Sequence, residues 1–142
     1  MDGRARFLFA ALILAQAIHS VEEYLFRLYD ALPPARYVSD ALGLDRPLGF
    51  IVANVALVLF GLWCWLARVR PGHRSARAFA WFWALLEIAN GLAHCGLAIA
   101  AGGYFPGLAT APLLLGFGLG LAWSLTAGRR RGRAIDRVKS RR

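Results

Sequence analysis

Four long apolar stretches, separated by short segments rich in proline, glycine and arginine, leave this chain little choice of solvent. They run roughly from Phe7 to Leu28, Leu48 to Ala67, Ala78 to Ala101 and Leu108 to Ala127, each close to the roughly 20 residues that carry a helix across a bilayer. In hydrocarbon every backbone amide must be paired within its own segment, so such spans are helical. The expected fold is all-α: an integral membrane four-helix bundle over about residues 1–128, with helices at about 7–28, 48–67, 78–101 and 108–127, and a tail over 129–142. The chain shows no internal repeat and no separate soluble domain, as a 142-residue sequence that is 58% hydrophobic would suggest.

Charge placement then orients the spans. The 17 Lys and Arg against 8 Asp and Glu give a net charge of +9, which in a soluble protein would point to nucleic acid. Here the basic residues lie at the edges of apolar segments: Arg4 and Arg6 before the first, Arg68, Arg70, Arg74 and Arg77 in one connection, and Arg129 to Arg142 at the end. Basic edges mark the cytoplasmic side. The expectation is a multi-pass protein of the cell membrane with both termini cytoplasmic, whose partners are membrane lipids and not nucleic acid. The loop from Tyr29 to Arg46, with Pro33, Pro34, Asp30, Asp40 and Asp45, then lies outside, as does the turn at Tyr104. The tail is expected to be disordered or to rest on anionic lipid.

Several features have plain explanations. Arg4, Arg6, an apolar run and Ala15-Gln16-Ala17 imitate a secretory signal, but hydrophobicity resumes at Val21, Tyr24, Leu25 and Phe26, so the segment reads as a span. Cys64 and Cys95 are isolated small hydrophobes. Trp63, Trp65, Trp81 and Trp83 suggest an interfacial belt. Gly116 and Gly120 suggest close approach of the last helix to a neighbour, and Pro112 a kink in it. His73, in the basic turn, reads as a solvated residue with no role.

Ionisable groups inside spans are costly and mark a site by default. The first helix carries His19, Glu22 and Glu23 and the third carries Glu87, Asn90 and His94. At helical spacing each set occupies one face. With both helices running outward at about 1.5 Å per residue, His19 falls level with Asn90, Glu22 and Glu23 level with His94, and Glu87 about one turn below His19. Asn54 on the second helix lies near the same depth, and Gln16 extends the stripe. The result is one polar layer inside the bundle.

His19-Ser-Val-Glu22-Glu23 in a first spanning helix resembles the motif of the HXXEE family of small multi-pass membrane proteins, and Asn90-Gly-Leu-Ala-His94 resembles its Asn-x-x-x-His signature. The resemblance covers the chain up to the basic tail. It implies a helical membrane fold and an unassigned enzymatic or metal-dependent activity, carried by His19, Glu22, Glu23, Asn90 and His94.

Imidazole and carboxylate together suit Zn or Fe, so the expected metal ligands are His19, Glu23, Glu87 and His94. Glu22 would bridge or act as base, and Asn90 would orient a ligand. Glu87 and His94 stand two turns apart, about 10.5 Å, which leaves open one ion without Glu87, or two ions. It also leaves open which of Glu22 and Glu23 faces the site. Such a centre implies hydrolytic or oxidative chemistry on a lipid-like or hydrophobic substrate. Other readings of the same residues are a metal-free acid/base isomerase using His19 and Glu87 with Trp83 stabilising a cation, haem held by His19 and His94, and a transporter, for which four short helices would need to form a homo-oligomer. In a purely structural reading the polar groups only join helices, with Glu23 paired to Arg27.

Overall fold

The computed structural model describes the backbone of residues 1–139 and the side chains of residues 1–128. The protein is all-α, with helices α1 (Gly3–Leu25), α2 (Leu28–Ala31), α3 (Pro33–Ala41), α4 (Arg46–Cys64), α5 (Ala76–Ala101) and α6 (Ala111–Lys139), and a π-helical turn, Trp65–Val69, continuing α4. Four of these are long and apolar enough to cross a membrane: Gly3–Leu25, Arg46–Val69, Ala76–Ala101 and Ala111–Gly128. Large apolar side chains stand exposed along all four, among them Phe7, Leu59, Ile99 and Trp123. A soluble monomer does not spread apolar surface this way, whereas lipid is its natural solvent.

Local chemistry sets the helix boundaries. Asp2 caps α1, its carboxylate accepting from the Ala5 amide at 2.8 Å, so the helix starts earlier than its apolar run. It stops at Leu25 because Arg27 turns left-handed at φ 58°. The Arg27 guanidinium closes that corner on Asp30 at 2.8 Å, and it is this hydrogen bond above all that holds the exposed Asp30 carboxyl below its usual range. Arg27 is therefore taken by Asp30 and not by Glu23. At the other end of the chain, α6 starts at Ala111, which puts Pro112 in its first turn, where a missing N–H costs nothing. Pro112 opens the helix and does not kink it. The backbone stays helical to Lys139, since Arg and Ala favour helix; the side chains of the basic tail and residues 140–142 lie outside the described residues.

The connection between α1 and α4, expected as an open loop, is largely the helices α2 and α3. Ser39 is completely buried and donates to the carbonyls of Ala35 and Arg46. Gly49 on α4 makes the contact possible, because a Cβ there would lie 2.5 Å from Ser39 Oγ and 2.6 Å from its Cα. Gly49→Ala should therefore cost about 1–3 kcal/mol, read as a lower Tm, while Gly96→Ala, which meets nothing within 4 Å and replaces a helix-interior glycine, should not lower the Tm.

Between helices in lipid, close packing replaces hydrophobic driving force. The stripe Ala111, Leu114, Gly118, Leu121 and Leu125 turns α6 inward, and Gly118 is the close contact, its absent Cβ lying 2.9 Å from Ile88 and 3.3 Å from the Ala84 carbonyl. Gly116 faces open space and Gly120 only touches Leu8, because those two lie off the buried stripe. The interior has two halves. Near the basic turn it is apolar, built on Phe9, Leu12, Trp83, Ala84 and Leu121. Trp83 is fully buried there and Trp65 stacks on Phe9, whereas Trp63 is exposed under the Arg68 guanidinium. Of those three tryptophans, only Trp63 has the exposed, arginine-covered setting of an interfacial belt. The other half of the interior is polar.

Candidate metal centre

One face of α1 supplies Gln16, His19, Ser20 and Glu23, all buried. Helical spacing stacks them, and α5 presents Glu87, Asn90 and His94 opposite. Glu23 Oε1 lies 3.3 Å from His19 Nε2 and 3.1 Å from His94 Nε2. The two rings stand edge to face with centroids 4.6 Å apart. His19, Glu23 and His94 thus form a buried cluster capable of coordinating a metal ion, with one ligand atom from each lying within 4.8 Å of the others. Because Glu23 reaches both imidazoles, no room is left for a porphyrin between them.

The hydrogen-bond network fixes which ring nitrogen of each histidine faces Glu23. His94 Nδ1 lies 2.6 Å from the Pro106 carbonyl, which can only accept, so Nδ1 carries a proton and Nε2 is the atom turned to Glu23. His19 Nδ1 lies 2.7 Å from Thr110 Oγ1. The Thr110 hydroxyl gives its single proton to Glu22 Oε2, so it must accept from His19. His19 Nε2 is then the nitrogen turned to Glu23, buried and without a well-aligned hydrogen bond. Three potential ligand atoms therefore converge, one from each of His19, Glu23 and His94, an arrangement that a cation satisfies.

Glu22 points elsewhere, into the connection between α5 and α6. Oε1 accepts from the Tyr104 hydroxyl and from the Ala109 amide at 2.9 Å, and Oε2 from the amide of Thr110 at 2.8 Å and from its hydroxyl. Four donors saturate the carboxylate, which ties α1 to the start of α6 and holds Thr110 against His19. Burial first, and then the bond to Glu22, push the Tyr104 phenol up to about 12. A phenol so raised contributes stability that is full below its free value of about 10 and is lost as pH rises through the folded value. Tyr104→Phe should remove this alkaline transition from a plot of Tm against pH, and leave metal content unchanged because three donors still hold Glu22.

Glu87 and Asn90 lie outside the three-ligand group. The Gln16 amide, with its nitrogen turned to Glu87, donates at 2.7 Å and 3.2 Å, and Asn90 Nδ2 stands 3.5 Å from the Gln16 side chain. Ser20 reaches Asn54 Oδ1 at 2.7 Å. Glu23 meets His94 at the level that helical rise assigns, whereas Asn90 stands opposite Gln16, about one turn from His19. Three participants were not legible as site residues: Pro106, Thr110 and Gly107. A Cβ on Gly107 would lie 2.5 Å from His94 Nδ1 and 2.8 Å from His19 Cε1, and its φ of 93° favours glycine. The Pro-Gly pair signalled a turn, but nothing in sequence placed that turn on both imidazoles.

A family model described as "Protein of unknown function with HXXEE motif" matches residues 10–119. The match takes in both helical motifs and the connection that carries Tyr104, Gly107 and Thr110. Neither the curated proteins nor the solved structures contain a match to the chain.

Proposed function

The chain belongs to the HXXEE family, and from that premise we propose that it is a membrane-embedded, metal-dependent enzyme whose divalent ion, zinc or iron, is held by His19, Glu23 and His94. The observation that carries the reading is the convergence of one ligand atom from each of His19, Glu23 and His94 within 4.8 Å of one another in a buried site. Ligands about 2.0–2.1 Å from a tetrahedral zinc lie about 3.3 Å from one another, and the two His–Glu23 pairs stand at 3.3 Å and 3.1 Å. Two His and one Glu leave a fourth position open, the mark of catalytic rather than structural sites. The ion would supply a Lewis acid in a site away from bulk water.

The chain's own residues then divide the work. Thr110, held by Glu22, fixes the His19 ring, and the Pro106 carbonyl fixes that of His94; such partners orient ligands and raise their basicity. Glu87 and Asn90 face the substrate side, where Asn90 positions the substrate and Glu87 is available for proton transfer. The chemistry is hydrolytic or oxidative, on a lipid-like molecule that reaches the centre within the membrane. Vesicles of a polar lipid extract containing metal-loaded protein should accumulate altered lipid species detectable by mass spectrometry, and vesicles with Glu23→Ala should not. Identical lipid profiles in the two would overturn the enzymatic reading.

Both termini are assigned to the cytoplasmic side, since Arg4, Arg6 and the basic turn from Arg68 to Arg77 share one end. Cysteines placed at exposed Tyr37 and Arg74, with Cys64 and Cys95 replaced, should react from opposite sides of a vesicle; labelling from the same side would reverse the depth assignment.

A further inference from the structure

Helices α4 and α5 meet at only one end. Near the basic turn Phe60 packs on Phe79, Phe82 and Trp83 with ring centroids 5.9–6.3 Å apart. Toward the opposite end the two helices line a cavity of about 500 Å³. Its back wall is α1, with Gln16 and Glu23, and its roof is α3, with Pro34, Ala35 and Val38. Leu57 and Leu86 form its sides, while Ala89 and Ala93 are exposed at its mouth, where larger residues would close it. The opening lies between two spanning helices, so it faces the bilayer.

The floor decides what fits. Glu23, Glu87, Asn90 and Asn54 all reach the cavity, and among the described residues no Lys, Arg or His lines it. Two turns along α5 from His94, a phosphate or carboxylate headgroup at the fully buried Glu87 would find no basic side chain among those lining residues to offset the repulsion. The paired acceptor of Glu87 and donor of Asn90 match a group that both donates and accepts. The apolar sides and mouth match an aliphatic body.

We infer that the gap between α4 and α5 is a lateral portal that admits an uncharged, hydroxyl-bearing amphiphile from the bilayer and seats its hydroxyl at Glu87 and Asn90, beside the His19, Glu23 and His94 centre. The inference rests on the proposed metal site for its purpose but not for its geometry. An alcohol seated there has its oxygen in the cavity that Glu23 also lines, whereas its chain leaves through Ala89 and Ala93 into lipid.

The test is photolabelling in phosphatidylcholine vesicles with a dodecanol bearing a diazirine on its chain, followed by peptide mapping, with metal content measured on the same samples. Labelling should concentrate on the segments holding Leu57, Leu86 and Ala89, fall at least tenfold with excess dodecanol, and persist with excess dodecyl phosphate. Ala89→Phe, which blocks the mouth, should lower labelling at least tenfold while leaving metal content at the wild-type level. Labelling spread evenly over outward faces, or indifferent to Ala89→Phe, would overturn the portal; displacement by the phosphate as readily as by dodecanol would overturn the assigned headgroup. Since vesicle lipid is in large excess, a groove that takes ordinary acyl chains would already be filled and would give the first of these negative results. Specific labelling of protein that holds no metal would leave the portal standing and remove the metal reading alone.

Discussion

Glu23→Gln is expected to weaken metal binding strongly while making the metal-free protein more stable than wild type. Glu23 Oε1 faces two imidazole nitrogens, His19 Nε2 and His94 Nε2, an arrangement that a metal cation satisfies. Glutamine keeps the volume and offers an amide N–H₂ to the same two nitrogens. Each buried polar group so satisfied is worth about 1–3 kcal/mol, which should appear as a Tm several degrees higher without metal. Divided evenly over four ligands, the roughly 10–16 kcal/mol typical of a structural zinc site gives about 2.5–4 kcal/mol each, so affinity should fall about 60- to 700-fold. A variant less stable than wild type without metal would mean that Glu23 accepts protons from the imidazoles.

Gly107→Ala should be nearly as damaging, although glycine takes no part in chemistry. The new methyl group would sit 2.5 Å from His94 Nδ1 and 2.8 Å from His19 Cε1, in a backbone with φ of 93°. The left-handed conformation alone costs about 1–2 kcal/mol, and overpacking adds about 1–3 kcal/mol. The His94 ring can yield only by leaving the Pro106 carbonyl, so metal affinity should also drop about 10- to 100-fold, as it does when outer-shell support is lost. Gly103→Ala, in the same connection with nothing within 4 Å of its Cβ, should change neither Tm nor affinity.

The spans and the inward faces were readable in the sequence because both follow from local rules: run length, and the helical spacing of His19 with Glu23 and of Glu87 with Asn90 and His94. The division of roles between neighbouring glutamates was not. Glu22 and Glu23 differ by about 100° around the helix, and what separates them is the distant connection that wraps back over α1, bringing Tyr104, Ala109 and Thr110 to Glu22 alone. The same long-range contact recruits Gly107 and Thr110, whose residue types carry no metal signature. The buried seat of Trp83 and the choice of Gly118 over Gly116 likewise depend on how α5 and α6 rotate against each other. The helical loop between α1 and α4 depends on Ser39 docking beside Gly49, which no periodicity in either segment announces.

The most direct measurement is elemental analysis of protein purified in mild detergent and equilibrated with zinc or iron, beside the double variant His19→Ala, His94→Ala. About one ion per wild-type chain and none in the double variant is the expected result. Wild-type protein without stoichiometric metal, or the same content in both, would contradict the proposed His19, Glu23 and His94 centre.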